Sequence, residues 1–136
     1  MTARMKNPAM VLPDALKGIQ NIYKAMYQGG VAHTTMELVH LRVSQINGCS
    51  ACVHAGIASA RRAGETVDRL HSVVAWREAD CFTAAERAAL AMAEAATRIA
   101  DGRDGVSDEM WKDASEHYDE AQLSAIILMM CRGVRN

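Results

Sequence analysis

Two cysteines separated by two residues, Cys49 and Cys52, are the residues of this chain best suited to chemistry. They follow Asn47-Gly48, a pair that breaks regular backbone, and the residues after them favour a helix. Because three positions are nearly one helical turn, both sulfurs project to one side and can reach each other. The spacing therefore predicts a redox pair that supplies a nucleophile and a resolving thiol within one turn.

The first turn of a helix is a favourable place for a reactive thiol. Its free N–H groups and the positive end of the helix dipole favour the thiolate over the thiol. In such settings the pKa of a cysteine falls from about 8.5 into the range of roughly 3.5–7.5. The thiolate is the form that attacks a peroxide or a disulfide, so this position predicts reactivity.

Other uses of the cysteine pair are open. Half of a zinc site is one alternative, but such a site needs two further ligands, and no second CxxC or His-rich motif follows. Two inert buried cysteines are another, although the break before Cys49 favours redox use. We expect Cys81 and Cys131, which stand alone in the sequence, to be ordinary buried thiols. A thioredoxin fold is disfavoured because its strand–helix–strand pattern is absent.

Length and composition predict one helical domain over residues 1–136. Half of the residues are hydrophobic but only 4% are aromatic, and nine are Met. Ala, Leu and Met favour helix, and β-branched residues form no alternating runs. The elements that must position the cysteines are therefore expected to be helices, in an all-α fold.

Charge and hydropathy exclude several partners. The formal net charge is −1 without a basic stripe, so nucleic acid is not an expected partner. No apolar run is long enough to cross a bilayer, and the first ten residues lack a secretory core, so we expect no membrane partner and a cytoplasmic location. In a reducing compartment, a close cysteine pair is more often catalytic or metal-binding than structural.

Start and stop signals predict six to seven helices. Thr83 and Glu86 have the spacing of a capping box, Ser107 and Asp119 can cap later helices, and Gly64 can end one. Small residues on the third and fifth helices favour close helix approach, within a subunit or between subunits. The predicted helices cover residues 12–28, 34 to about 46, about 50–63, about 67–77, 83–102, a sixth after Ser107, and 120 to about 131.

The stretch from Glu37 to Cys52, ELVHLRVSQINGCSAC, resembles the core motif of the alkyl hydroperoxidase D (AhpD) family of the carboxymuconolactone decarboxylase superfamily. The similarity continues through ARRAGE (60–65), VAWRE (74–78) and FTAAERAAL (82–90), and covers most of the chain from about residue 10 to 130. It implies a helical fold that assembles as a homo-oligomer, either a trimer or a hexamer. It also implies reduction of alkyl hydroperoxides, or service as a thiol reductant linked to lipoamide or a peroxiredoxin, without a cofactor or metal.

The resemblance further implies roles for individual residues. The cysteine matching Cys52 is peroxidatic, the one matching Cys49 resolves it, and the glutamate matching Glu37 is a proton relay. The family pattern places a histidine four residues after the second cysteine, where this chain has Gly56. Relatives also extend the last helix with a polar and aromatic stretch, whereas this chain ends soon after Cys131.

Two histidines are candidates for the missing relay group. His54 is close in sequence, but two positions turn it about 200° around a helix from Cys52. His40 lies one turn beyond Glu37 and could share its face, although a surface or satisfied core histidine is the alternative. We keep Cys52, Cys49, Glu37, His40 and His54 as the candidate catalytic residues.

Neighbouring residues have structural explanations as well. Thr34 and Glu37 also have capping-box spacing, so a helix cap is the alternative role for Glu37. Ser44 could hydrogen-bond near the site or only line its helix. His33 is expected in the loop before the second helix, and Arg42 on a solvated face or at a subunit contact.

Three functional hypotheses follow from the sequence. The first is a thiol-dependent peroxidase or disulfide reductase that takes a hydroperoxide substrate and an external dithiol reductant. The second is a redox-sensing or assembly module with little turnover, which the Gly56 departure motivates. The third, a lactone decarboxylase-like enzyme, is disfavoured because that branch lacks the cysteine pair.

Overall fold

The structure, a computed structural model, describes residues 4–131 with their side chains and the backbone of Arg132. Within this part of the chain the regular structure is entirely helical. The chain end after Cys131, where the sequence departs from the family that it resembles, lies largely outside the described residues. The α-helices are α1 Pro8–Val11, α2 Pro13–Gln28, α3 His33–Ile46, α4 Ser50–Arg62, α5 Val67–Ser72, α6 Ala84–Thr97, α7 Asp108–His117 and α8 Glu120–Arg132.

The all-α prediction is confirmed, with three local differences. A short helix, α1, precedes the first predicted one. The predicted fourth helix ends early, because the chain tightens into a 3₁₀ segment at Val73–Ala75. The fifth does the same at Arg98–Asp101 before Gly102, whose φ of +76° ends it. Tight 3₁₀ turns at helix ends are common and cannot be separated from α-helix by apolar periodicity.

The predicted caps explain where the helices begin. Thr83 and Glu86 form a reciprocal capping box at the start of α6. The Ser107 hydroxyl accepts from Met110 N–H at the start of α7, and Asp119 accepts from Gln122 N–H at the start of α8. Each cap satisfies a backbone donor that the first turn leaves without an intrahelical partner.

Helix α3 lies at the centre of the molecule. Ten of its residues, 35–44, are buried, and it packs against α4, α6 and α8. One apolar cluster lies on its side facing α2, α6, α7 and α8, and a second fills the space toward α4, α5 and α6. Because α3 is surrounded, its polar side chains are buried together with its apolar ones. This burial places Glu37 and His40 inside the protein.

A buried ion pair joins α3 to α6. Arg42 of α3, predicted to be solvated or at a subunit contact, is instead buried against Glu94 of α6. Trp76 is also buried and donates to Glu94, whereas Trp111 is 45% exposed and does not belong to the core.

None of the described helices is long and apolar enough to cross a membrane.

Candidate redox site at the start of α4

Cys49 and Cys52 are joined as a disulfide, with their Cα atoms 5.3 Å apart. Cys49 is the N-cap of α4, and its sulfur accepts from the Cys52 N–H at 3.3 Å. Both cysteines are half-buried. The pair therefore occupies the first turn of a helix, as the spacing predicts, where free N–H groups favour a thiolate once the bond is reduced.

A tight turn between α3 and α4 sets the position of the pair. Asn47 ends α3, and Gly48 has a φ of +64°, a conformation that residues with a side chain rarely adopt. The Cys49 N–H then bonds back to the Ser44 carbonyl at 3.1 Å. The Asn-Gly break thus turns the chain sharply enough that α4 packs directly on α3.

Glu37 is a buried carboxylate, 2% exposed, on the face of α3 near α2. Its Oε1 accepts a hydrogen bond from the Tyr27 hydroxyl at the end of α2. The predicted capping box with Thr34 is wrong, because α3 already begins at His33 and its N-cap Ala32 offers no side-chain bond. Glu37 is therefore available for chemistry and is not used as a cap.

His40 lies beside Glu37 inside the protein. It is 4% exposed, and its Nδ1 is 3.9 Å from Glu37 Oε2. Oε2 itself is buried and has no hydrogen bond within the described part of the chain. The Ser44 hydroxyl donates to the His40 carbonyl at 2.7 Å, which is the local role that Ser44 takes. A carboxylate and an imidazole at this separation can pass a proton through a small movement or a water.

The Nδ1 edge of the His40 ring also faces Gly56 of α4. A Cβ added to Gly56 would lie 3.0 Å from His40 Nδ1 and 3.3 Å from Cε1. Gly56 comes four residues after Cys52, so it lies about 6 Å further along the helix on nearly the same face. The Nδ1 edge of the imidazole thus lies near both Glu37 and the turn of α4 that follows Cys52.

A cavity of about 300 Å³ opens beside Glu37. It lies between the end of α2, the start of α3 and the last turns of α4, and connects the buried carboxylate with the surface. The side chains that line it are Tyr27, His33, Glu37, Ser59, Arg62 and Ala63.

Two residues at this cavity were not among the sequence candidates. Tyr27 was missed, although it falls one turn after Tyr23 on the apolar face of α2. Arg62 lies in the ARRAGE segment (60–65) after the cysteine motif, and no spacing in the sequence marks it as a site residue. His33, predicted in a loop, is the first residue of α3, and its ring lies 4.8 Å from that of Tyr27.

The remaining candidates lie outside this cluster. His54 is exposed, and because it is two positions from Gly56 it points away from α3. Cys81 and Cys131 are free thiols and both are exposed, so the prediction that they are buried is wrong. In the described part of the chain no group of three or more His, Cys, Asp or Glu side chains could hold a metal ion.

Comparison with known proteins decides the family. The sequence model of the carboxymuconolactone decarboxylase family matches residues 13–95, more than half of the chain. The chain belongs to this family. Both cysteines, Glu37, His40 and Gly56 fall inside the matched region, so every residue of the site just described is part of the family domain.

Two relatives place this member of the family more closely. The uncharacterized protein YdfG of Bacillus subtilis (strain 168) is 37% identical over 120 residues, which are 88% of this chain and 80% of YdfG. A solved structure from Agrobacterium tumefaciens is similar with a TM-score of 0.85 and 27% identity, covering 97% of this chain and 88% of that one. That protein is of unknown function and carries the provisional description of antioxidant defence protein AhpD. This chain is an AhpD-like member of the carboxymuconolactone decarboxylase family.

Proposed function

We propose that this protein is a thiol-dependent peroxidase, or a disulfide reductase, that works through Cys52 and Cys49. The observation that carries the proposal is the Cys49–Cys52 disulfide in the first turn of α4, a helix that packs against α3, which carries the buried Glu37 and His40. The antioxidant description of the similar protein from Agrobacterium tumefaciens supports the same chemistry.

The peroxidase reaction balances with this pair and one external reductant. The Cys52 thiolate attacks the terminal oxygen of a hydroperoxide, the O–O bond breaks, and Cys52 becomes a sulfenic acid. The departing alkoxide takes a proton and leaves as an alcohol. The Cys49 thiol then condenses with the sulfenic acid, forming the disulfide and releasing water. An external dithiol restores both thiols and is itself oxidised to a disulfide.

Proton transfer is the part that the buried groups supply. Cys52 must lose a proton before it attacks, and the alkoxide must gain one. Glu37 can accept and return this proton, because Tyr27 bonds only its Oε1, its Oε2 accepts no hydrogen bond from the described residues, and the side chain lines the cavity. His54 is exposed and has no comparable position.

The test is consumption of tert-butyl hydroperoxide with dithiothreitol as reductant. We expect turnover by the natural protein, and loss of turnover in both Cys52→Ser and Cys49→Ser. The matched control is Cys81→Ser, which removes an exposed free thiol and leaves the pair intact. Equal turnover in all four proteins would contradict the proposal, because the reaction would not depend on the pair.

Two other results would point to different functions. No turnover, with a disulfide that still forms and is reduced reversibly, favours the redox-sensing or assembly module. Decarboxylation of a lactone substrate that survives Cys49→Ser favours a non-redox enzyme, because only the redox functions need that thiol.

Assembly as a trimer or hexamer stays a prediction, as do the cytoplasmic location and the identity of the dithiol partner. Light scattering of the purified protein in its oxidised and reduced forms measures the oligomeric state directly. A change in mass between the two forms would favour the assembly module over the peroxidase.

A further inference from the structure

A glycine in the interior of α4 needs an explanation. Gly56 is buried in the middle of Ser50–Arg62, and glycine in a helix interior costs about 0.5–1 kcal/mol relative to alanine. Its conformation gives no reason, because its φ is not positive. The reason is its neighbour, since even a methyl group at this position would lie 3.0 Å from His40 Nδ1.

The space beside Gly56 belongs to the cysteine site. Cβ atoms in an α-helix tilt toward its N-terminus, so a side chain at position 56 would cover the turn that precedes it. That turn carries Cys52. The imidazole of His40, which comes from α3, therefore occupies the space that a side chain at position 56 of α4 would fill next to Cys52.

We infer that His40 carries the proton of Cys52 to and from Glu37, and that residue 56 is glycine because even a Cβ there would press on the imidazole. This inference rests on the proposed function. The thiol proton passes to His40 when the thiolate forms, and it returns to the alkoxide when the O–O bond breaks. No other proton is gained or lost in that half of the reaction.

The groups that face His40 come from α2, α3 and α4. Glu37 lies on its own helix at 3.9 Å and is bonded by Tyr27 of α2. From α4 the facing residue is Gly56, with Cys52 one turn before it. The charged and titratable groups further out are Arg62 and His33 at the cavity and, on another face of α3, the Arg42–Glu94 pair.

The first test measures the Cys52 thiol without any peroxide. In a protein with Cys49→Ser, Cys81→Ser and Cys131→Ser, Cys52 is the only thiol left of the four cysteines. We expect His40→Gln in this background to slow alkylation of Cys52 by iodoacetamide at pH 7 roughly tenfold, because less thiolate is present. The rate should recover at high pH, where the thiol ionises without help. The control is His71→Gln, an exposed histidine of α5, which should leave the pH profile unchanged.

The second test moves the imidazole from one helix to the other. His40→Ala combined with Gly56→His empties the space on α3 and fills it from α4. We expect this double variant to alkylate Cys52 within about threefold of the parent rate, whereas His40→Ala alone stays slow. Packing alone does not predict such a rescue, since the double variant changes the contacts on both helices.

A third measurement needs no substitution and decides the matter if the variants fold poorly. The proton that His40 shares with Cys52 must make the two titrations depend on each other. In NMR titrations of the natural protein, which has five histidines, we expect the midpoint of one buried imidazole to move to higher pH when the disulfide is reduced.

The outcomes separate this inference from the proposed function. The role of His40 would be overturned if His40→Gln left the pH profile of Cys52 alkylation unchanged. It would also be overturned if the titration midpoints of all five histidines were the same in the oxidised and reduced protein. Peroxide turnover that depends on Cys52 would stand in either case. Conversely, a His40-dependent thiolate in a protein without turnover would keep the inference and reject the peroxidase.

Discussion

Arg42 donates two hydrogen bonds to one carboxylate oxygen of Glu94, from Nε at 3.0 Å and from Nη2 at 2.8 Å. Trp76 Nε1 donates to the same oxygen, and Arg77 donates to the other. Burial alone would raise the pKa of Glu94, but the hydrogen bonds from Trp76, Arg77 and Arg42 outweigh it and lower the pKa to about 2. This network joins α6 to the central helix that carries Glu37 and His40.

Replacing Glu94 should be costly for the fold. Glu94→Gln leaves the buried guanidinium of Arg42 without a counter-charge, and we expect the free energy of unfolding to fall by on the order of 3 kcal/mol. Urea unfolding at pH 7 measures it. The control is Asp101→Asn, which removes an ion pair with Arg98 at the surface and should cost less than about 1 kcal/mol. Equal losses of unfolding free energy in both variants would contradict the stabilising role of the buried Arg42–Glu94 pair.

The same carboxylate predicts how stability depends on acid. Because the pKa of Glu94 is about 2 in the folded protein and 4.5 without its partners, its contribution is fully present above about pH 4.5. It is lost as the pH falls from 4.5 toward 2, and amounts to roughly 3 kcal/mol. The difference in unfolding free energy between the natural protein and Glu94→Gln should therefore shrink over this interval. A difference that stays constant down to pH 2 would disprove the pKa assignment.

Two glycines offer a matched pair of substitutions with opposite signs. A Cβ on Gly29 would lie 2.5 Å from Ala125 Cβ, whereas one on Gly18 would have nothing within 4 Å. We expect Gly29→Ala to destabilise the protein by about 1–3 kcal/mol because α2 and α8 must separate. Gly18→Ala, in the exposed interior of α2, should stabilise it by about 0.5–1 kcal/mol. Thermal unfolding of both variants measures the two changes in stability. Changes of the same sign would contradict the close contact between Gly29 at the end of α2 and Ala125 of α8.

Tyr27 holds Glu37 in place, so its hydroxyl should matter for turnover. Tyr27→Phe removes the hydrogen bond to Oε1, and we expect peroxide turnover to fall about fivefold, the equivalent of ~1 kcal/mol. Tyr118→Phe is the control, since it loses a hydroxyl that donates to the Ala85 carbonyl, away from the site. Both variants should lose some stability, but only Tyr27→Phe should lose rate. A similar rate loss in both would mean that the effect is structural.

Thiol counting checks the redox state of the pair. In the oxidised protein only Cys81 and Cys131 are free, and both are exposed. Ellman's reagent should therefore react with two thiols before reduction and, after removal of a dithiol reductant, with all four cysteines of the chain. The double variant Cys81→Ser with Cys131→Ser should give none and then two. Reaction of four thiols in air-oxidised protein would contradict the disulfide.

Helix boundaries and the cysteine pair could be predicted because their causes are local. The capping box of Thr83 and Glu86, the caps at Ser107 and Asp119, and the break at Gly48 act within a few residues. The pair needs only one helical turn to bring its sulfurs together. The fold class and the pairing of Cys49 with Cys52 were therefore predictable from the sequence alone.

Only the tertiary structure decided which partners the buried polar side chains of α3 have. The sequence left a helix cap open as the alternative role of Glu37 and predicted Arg42 on a solvated face or at a subunit contact, because local spacing says nothing about a helix that is buried on every side. Their partners, Tyr27 and Glu94, come from other helices. The contact between His40 and Gly56 is of the same kind, since an imidazole on one helix and a missing side chain on another share a volume only after the helices pack.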